Sequence, residues 1–148
     1  MALKNPTPSA RHRAREVALQ ALYAWRVQGG DALGHARSLE GWERCDRDFA
    51  QDLLNSIPEK LEILEQRIAR HLDRSLASLS PVERAILLIG AYELAERPET
   101  PFKVVLNEAI ELGKSFGGTD GHKFVNGVLE KLARELRPEE IARVRQAV

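Results

Sequence analysis

Arg11, Arg13 and Arg15 alternate along the stretch RHRARE, with His12 between them and Lys4 upstream. These residue types suit phosphate, because the planar arginine fork donates paired hydrogen bonds and keeps its charge at any ordinary pH. Within the first 28 residues five bases face one acid, Glu16, a local net of +4 in a chain whose formal net charge is +0. His12 adds to that charge only when protonated. Arg11 and Arg15 lie one turn apart on a helix and share a face. Arginines at a helix N-terminus sit against the dipole, and an approaching phosphate relieves that mismatch. Taken alone, the residues leave two readings open, a phosphate-bearing partner or a solvated helix end.

A second cluster is the corner Phe116, Asp120, Lys123 and Phe124, with Lys114, His122 and Asn126 nearby in sequence. Aromatic rings here can stack on unpaired bases, which is the usual way single-stranded RNA is held. Asp120 can accept hydrogen bonds from a base amino edge while Lys123 meets phosphate. The blander alternative makes both Phe side chains core residues and Asp120 an N-cap.

Positioning that corner requires two helices joined by a glycine-rich turn. Thr100 is placed to cap the first, with Pro101 at its first helical position. Val105, Ala109, Leu112 and Phe116 recur at helical spacing, and Val125, Val128, Leu129, Leu132 and Leu136 form the stripe of the second helix. Gly117 and Gly118 should end the first helix in the left-handed conformation, and Thr119 or Asp120 should cap the second. The arginines belong to a helix from Ser9 to about Val27, with a buried stripe of Ala14, Ala18, Ala21, Leu22 and Trp25. Gly29 and Gly30 stop it. A short helix over Asp31–Ser38 and one over Arg44–Ser56 follow. Pro58 interrupts the chain there before helical spacing resumes through Leu61, Leu64, Ile68 and Leu72. Ser80, Pro81 and Glu83 spell a capping box with proline at the first position. The run Ala85–Ala91 is apolar nearly all round, which places its helix at the centre of the fold. Pro138 opens a last short helix, Glu139–Gln146.

There is no strand alternation and no internal repeat. The fold class expected is therefore all-α, with about six or seven helices. Two three-helix groups, residues 1 to about 75 and 76 to 137, are expected to pack as a single domain over 1–148. Residues 1–8 read as a terminal tail. The single cysteine, Cys45, excludes an internal disulfide and any cysteine-rich zinc site. The four histidines share no motif, and neither a phosphate loop nor a metal-binding pattern is present. The expectation is a non-enzyme with no catalytic residue, no cofactor and no metal. No signal peptide or membrane span is legible, so a cytoplasmic setting is expected.

Three segments carry a family resemblance: RHRAREVALQALYAW at Arg11–Trp25, LSPVERAILLIGAYEL at Leu79–Leu94, and TPFKVVLNEAIELGKSFG with DGHKFVNGVLEKLA across Thr100–Ala133. In that order they resemble the bacterial NusB family of transcription antitermination factors and cover roughly half of the chain. The resemblance implies that the arginine-rich start binds RNA through Arg11, Arg13 and Arg15, with His12 at a position where the family carries arginine. It implies that the Asp120 corner meets RNA beside the basic helix. It also implies a protein partner, NusE, at a face including Tyr23, Glu83 and Arg84. The RNA implied is boxA, a short single-stranded element of nascent ribosomal RNA, within an RNA polymerase antitermination complex. A homodimer, or an adaptor that binds only protein, is the alternative.

Overall fold

The computed structural model describes residues 8–118 and 120–146. Lys4, one of the expected RNA contacts, and Thr119, one of the two expected caps, lie outside them. The described residues form eight α-helices and no strand: α1 (Pro8–Gln28), α2 (Ala32–Arg37), α3 (Arg47–Glu59), α4 (Leu61–Ala69), α5 (Pro81–Glu96), α6 (Phe102–Phe116), α7 (Gly121–Leu136) and α8 (Pro138–Gln146). Short 3-10 turns occupy Glu40–Arg44 and Leu76–Ser78. The all-α expectation holds. Pro58 does not interrupt the chain where expected, because it sits in the last turn of α3, which runs on to Glu59.

Two compact units divide at Lys60. In the first, α1 packs on α2 and α3. Ala14, Ala18, Ala21 and Leu22 are buried as their spacing predicts, whereas Trp25 is only half-buried. Gly29 and Gly30 take left-handed φ values of 77° and 82°, which ends α1. Asp46 caps α3, its carboxylate accepting from Phe49 N–H at 3.1 Å.

In the second unit α5 is central, with Ala85 to Leu94 buried on every side. The Ser80–Glu83 capping box forms as its spacing predicts, both hydrogen bonds measuring 3.1 Å. The sequence reading placed α4 with the first group, but α4 packs on α5 and α7 and belongs here. Glu135 of α7 fixes the end of α4, accepting from Arg70 and contacting the His71 ring, each at 2.8 Å.

The start of α6 departs from expectation by one residue. Pro101 is the N-cap and Thr100 is buried, 5% exposed, with its hydroxyl unpartnered. The free N–H of Phe102 is instead satisfied from α8, by Glu140 Oε2 at 2.8 Å. Glu140 is held by Arg137, whose five N–H donors are all used. They reach the carbonyls of Glu93 (3.1 Å), Leu94 (2.8 Å), Arg97 (2.9 Å) and Thr100 (2.9 Å), and the Glu140 carboxylate (2.5 Å). Arg137 therefore closes the α5 C-terminus, where carbonyls lack helical partners, and is itself only 8% exposed.

Two predictions follow from this cluster. Arg137→Lys offers three donors for five acceptors and strands buried carbonyls, so a loss of about 3 kcal/mol in urea unfolding is expected. A loss below about 0.5 kcal/mol would show the cluster to be incidental. For Glu140, burial raises the carboxyl pKa, but the Phe102 hydrogen bond and the Arg137 guanidinium outweigh it, leaving the value below its ordinary 4.5. The stabilisation is thus complete above that ordinary value and is lost as pH falls through the lower folded one. Thermal melts of Glu140→Gln should be lower than wild type at neutral pH and converge with it in acid. Parallel curves across the whole range would contradict this.

Candidate nucleic-acid interface

In the first unit the arginine-rich start of α1 is built onto the cap of α3. Asp46 donates its N–H to Ala10 O at 3.0 Å and accepts from Arg11 Nε at 3.4 Å, besides capping Phe49. The Phe49 ring, 2% exposed, lies under two guanidiniums, with Arg11 Cζ at 4.7 Å and Arg15 Cζ at 4.9 Å from its centre. Cation–π contact of this kind fixes arginine without consuming its hydrogen-bonding edge.

The structure corrects one expectation here. Arg15 does not share an exposed face with Arg11, for it is 2% exposed while the Arg11 side chain is 35% exposed. The accessible bases are Arg11, His12 and Arg13. His12 sits 3.6 Å from Glu16 one turn on. Arg13 is exposed and shares with Glu16, Gln20, Glu40 and Arg44, and with the apolar Val17 and Leu39, an open cleft of about 370 Å³ beside the Glu40–Arg44 turn. Sequence reasoning missed Asp46 and Phe49 as the residues that orient the arginines. The capping position of Asp46 was the available signal.

In the second unit α6 and α7 cross closely at Gly113, where a Cβ would lie 2.8 Å from the Cα of His122. That approach sets the geometry of the following turn. Gly117 is not left-handed, since its φ is −88°; it is small because a Cβ there would lie 2.8 Å from Gly113 O. Asp120 starts α7 through its backbone carbonyl, but its side chain does not cap the helix. The carboxylate is 76% exposed and lies 3.5 Å from Lys123 Nζ, itself 74% exposed. Phe116 and Phe124 are half-buried, neither core nor free. The Phe124 ring carries the guanidinium of Arg74 at 4.4 Å, with Arg74 Nε bonded to Asp73 at 2.9 Å. Arg74 sits in the loop after α4, and nothing in sequence spacing connects it to Phe124.

The candidate protein-binding residues are placed as follows. Tyr23 is 43% exposed and Val27 61% exposed, one turn apart on α1. Glu83 spends one oxygen on the capping box, and its other points towards Gly121 at the start of α7, where a Cβ would lie 4.0 Å away. Arg84 is committed within the chain, its Nε and Nη2 both donating to Glu65, the former at 2.7 Å. Among the described residues no three His, Cys, Asp or Glu side chains are grouped to hold a metal ion. No described helix is long and apolar enough to cross a membrane.

The NusB family model matches residues 12–134. The chain belongs to the NusB family. The transcription antitermination protein NusB of Dechloromonas aromatica is 49% identical over 148 residues, spanning 98% of this chain and 91% of its own. That of Nitrosomonas europaea is 50% identical over 134 residues, spanning 88% and 80%. Among solved structures, NusB of T. maritima superposes with a TM-score of 0.80 at 31% identity, covering 93% of this chain and 99% of that one. A crystal structure of the antitermination factors NusB and NusE in complex with double-stranded RNA gives 0.75 at 27% identity, covering 87% and 99%.

Arg15→Ala should destabilise the chain by about 2 kcal/mol, because it uncovers the Phe49 ring and removes a buried base. Arg13→Ala should change stability by less than about 0.5 kcal/mol. Denaturant melts of the two variants check this, and equal losses would contradict the burial difference.

Proposed function

We propose that this NusB-family chain is a transcription antitermination factor that binds boxA-type nascent RNA together with NusE, within an RNA polymerase complex in the cytoplasm. Its two units act as one domain, and its work is assembly rather than bond chemistry, without cofactor or metal. The observation that carries the RNA contact is the exposed corner of α7. There Asp120, released from capping, stands beside Lys123 on the turn that also bears the Arg74-covered ring of Phe124. Lys123 meets phosphate, Asp120 accepts from base amino groups, and Phe124 and Phe116 supply stacking surface. Arg11, His12 and Arg13 add phosphate contacts on α1, with Arg15 acting as the buried support of Arg11 through the shared Phe49 ring. Tyr23 and Val27 form the exposed apolar stripe that the first unit offers to NusE, and Glu83 is the candidate contact of the second unit. The same stripe favours self-association as the second reading.

The test measures anisotropy of labelled single-stranded boxA RNA, a scrambled strand and a duplex, each with and without NusE, across a salt series. Selective binding of the boxA strand, tightened by NusE and weakened by salt, is expected. Lys123→Ala and Arg13→Ala should each reduce the salt slope by about 1 and weaken all RNAs alike. Phe124→Leu should cost about 1–3 kcal/mol for single strands. Asp120→Asn should change sequence preference more than total affinity. Equal binding to all three RNAs would reduce the corner to a nonspecific basic patch. Concentration-dependent dimerisation lost in Tyr23→Asp, with no RNA binding, would favour self-association.

A further inference from the structure

The far end of α6 carries a second surface that the RNA corner does not use. Phe102 and Leu106 of α6, Ala133 of α7, and Ile141 and Val144 of α8 line an apolar groove of about 310 Å³. It exists because Arg137 and Glu140 pin the first turn of α8 to the α5–α6 junction. Ile141 and Val144, both half-buried, form the α8 wall of the groove, and Ala133, 1% exposed, contributes only a methyl to its lining. The volume is at the lower edge of ligand-sized sites, which run from about 300 to 1,000 Å³.

Around the groove stand Lys103, Arg134 and Arg145, all exposed, against one acid, Glu130. No ion pair among the described residues engages any of the three bases. In a chain with balanced charge, three bases against one acid leave a local net of +2 around one apolar groove. The family model ends at residue 134, so the α8 wall and Arg145 lie outside it. The groove is also separated from Phe116 by the length of α6, roughly 20 Å.

We propose that this groove docks an acidic amphipathic helix of a partner protein, its apolar anchors entering between α6 and α8 and its carboxylates meeting Lys103, Arg134 and Arg145. Helix-in-groove recognition uses anchors at i, i+3, i+4 and i+7, which suits a trough walled by helices. A second copy of this chain is disfavoured, because a two-fold contact would set the same cations against themselves. RNA is disfavoured because the groove is lined mainly by aliphatic side chains and offers little stacking surface.

The probe is a fluorescent peptide of about 14 residues with leucines at those four spacings and glutamates on the flanks, against a scrambled peptide of equal composition. Binding to the full-length chain should be at least about tenfold tighter for the patterned peptide and should weaken with salt. Methyl NMR should show shifts at Leu106, Ala133, Ile141 and Val144. Arg134→Glu with Arg145→Glu should cut affinity about tenfold or more, while leaving the circular dichroism spectrum and boxA RNA binding unchanged. Val144→Trp should block the peptide with the basic residues intact, and Lys103→Glu gives an independent charge reversal should the double variant not fold. The proposal is overturned by any of three results. The scrambled peptide binds equally, RNA competes for the groove and loses affinity in the double variant, or sedimentation shows a dimer that the double variant dissolves.

Discussion

In the C-terminal unit one buried guanidinium ties together the end of α5, the loop into α6 and the start of α8. Arg137 ends α7, begins α8, and spends all five donors on the carbonyls that close α5 and on Glu140. Helix ends are the weak points of an all-α fold, because each leaves four donors or acceptors without partners. Here one side chain resolves the end of α5 and, through Glu140, the start of α6. The far end of α6 is fixed separately, by its close approach to α7 at Gly113. The cost of burying a charge is offset by complete satisfaction of its donors, the condition under which burial is tolerated.

The first unit uses the same device with the charges exchanged. Asp46 is 8% exposed; its carboxylate caps α3 and accepts from Arg11 while its N–H donates to the Ala10 carbonyl, so one residue joins the start of α1 to the start of α3. Arginines at a helix N-terminus oppose the dipole, and Asp46 with the Phe49 ring compensates for two of them. Arg13 and His12 remain outward, the latter beside Glu16. The charge that can reach a phosphate is therefore smaller than the run RHRAR suggests, but it is held more firmly.

Local signals were legible in the sequence where the partners lie within a turn or two. The Ser80–Glu83 box, the glycine stop at Gly29 and Gly30 and the all-round burial of α5 formed as their spacing dictates, as did the stripes of α6 and α7 except at their last members, Phe116 and Leu136, which are half-buried. What failed involved distant partners. Thr100 lost its capping role because Glu140, forty positions on, supplies the cap. Arg15 reads as a surface base until Phe49 is brought beneath it. Gly117 reads as a left-handed cap, but its smallness answers a clash with Gly113 O. For the candidate site, Lys123 and Asp120 were legible as exposed charges, whereas Arg74 was invisible because a loop residue carries no periodicity.

Arg74 changes how the Phe124 ring must be understood. The guanidinium of Arg74 stacks on the half-buried Phe124 ring and covers one of its faces. A nucleobase stacked on an aromatic side chain is worth about 1–3 kcal/mol. On the RNA reading proposed above, a base would take the place of Arg74 on the ring, and the displaced guanidinium would lie within reach of that nucleotide's phosphate. Alternatively the base stacks on the outer face of the guanidinium, and the ring remains its support. In both arrangements the stack covers the ring in the free chain, and on the proposed RNA reading Arg74 would belong to the recognition surface.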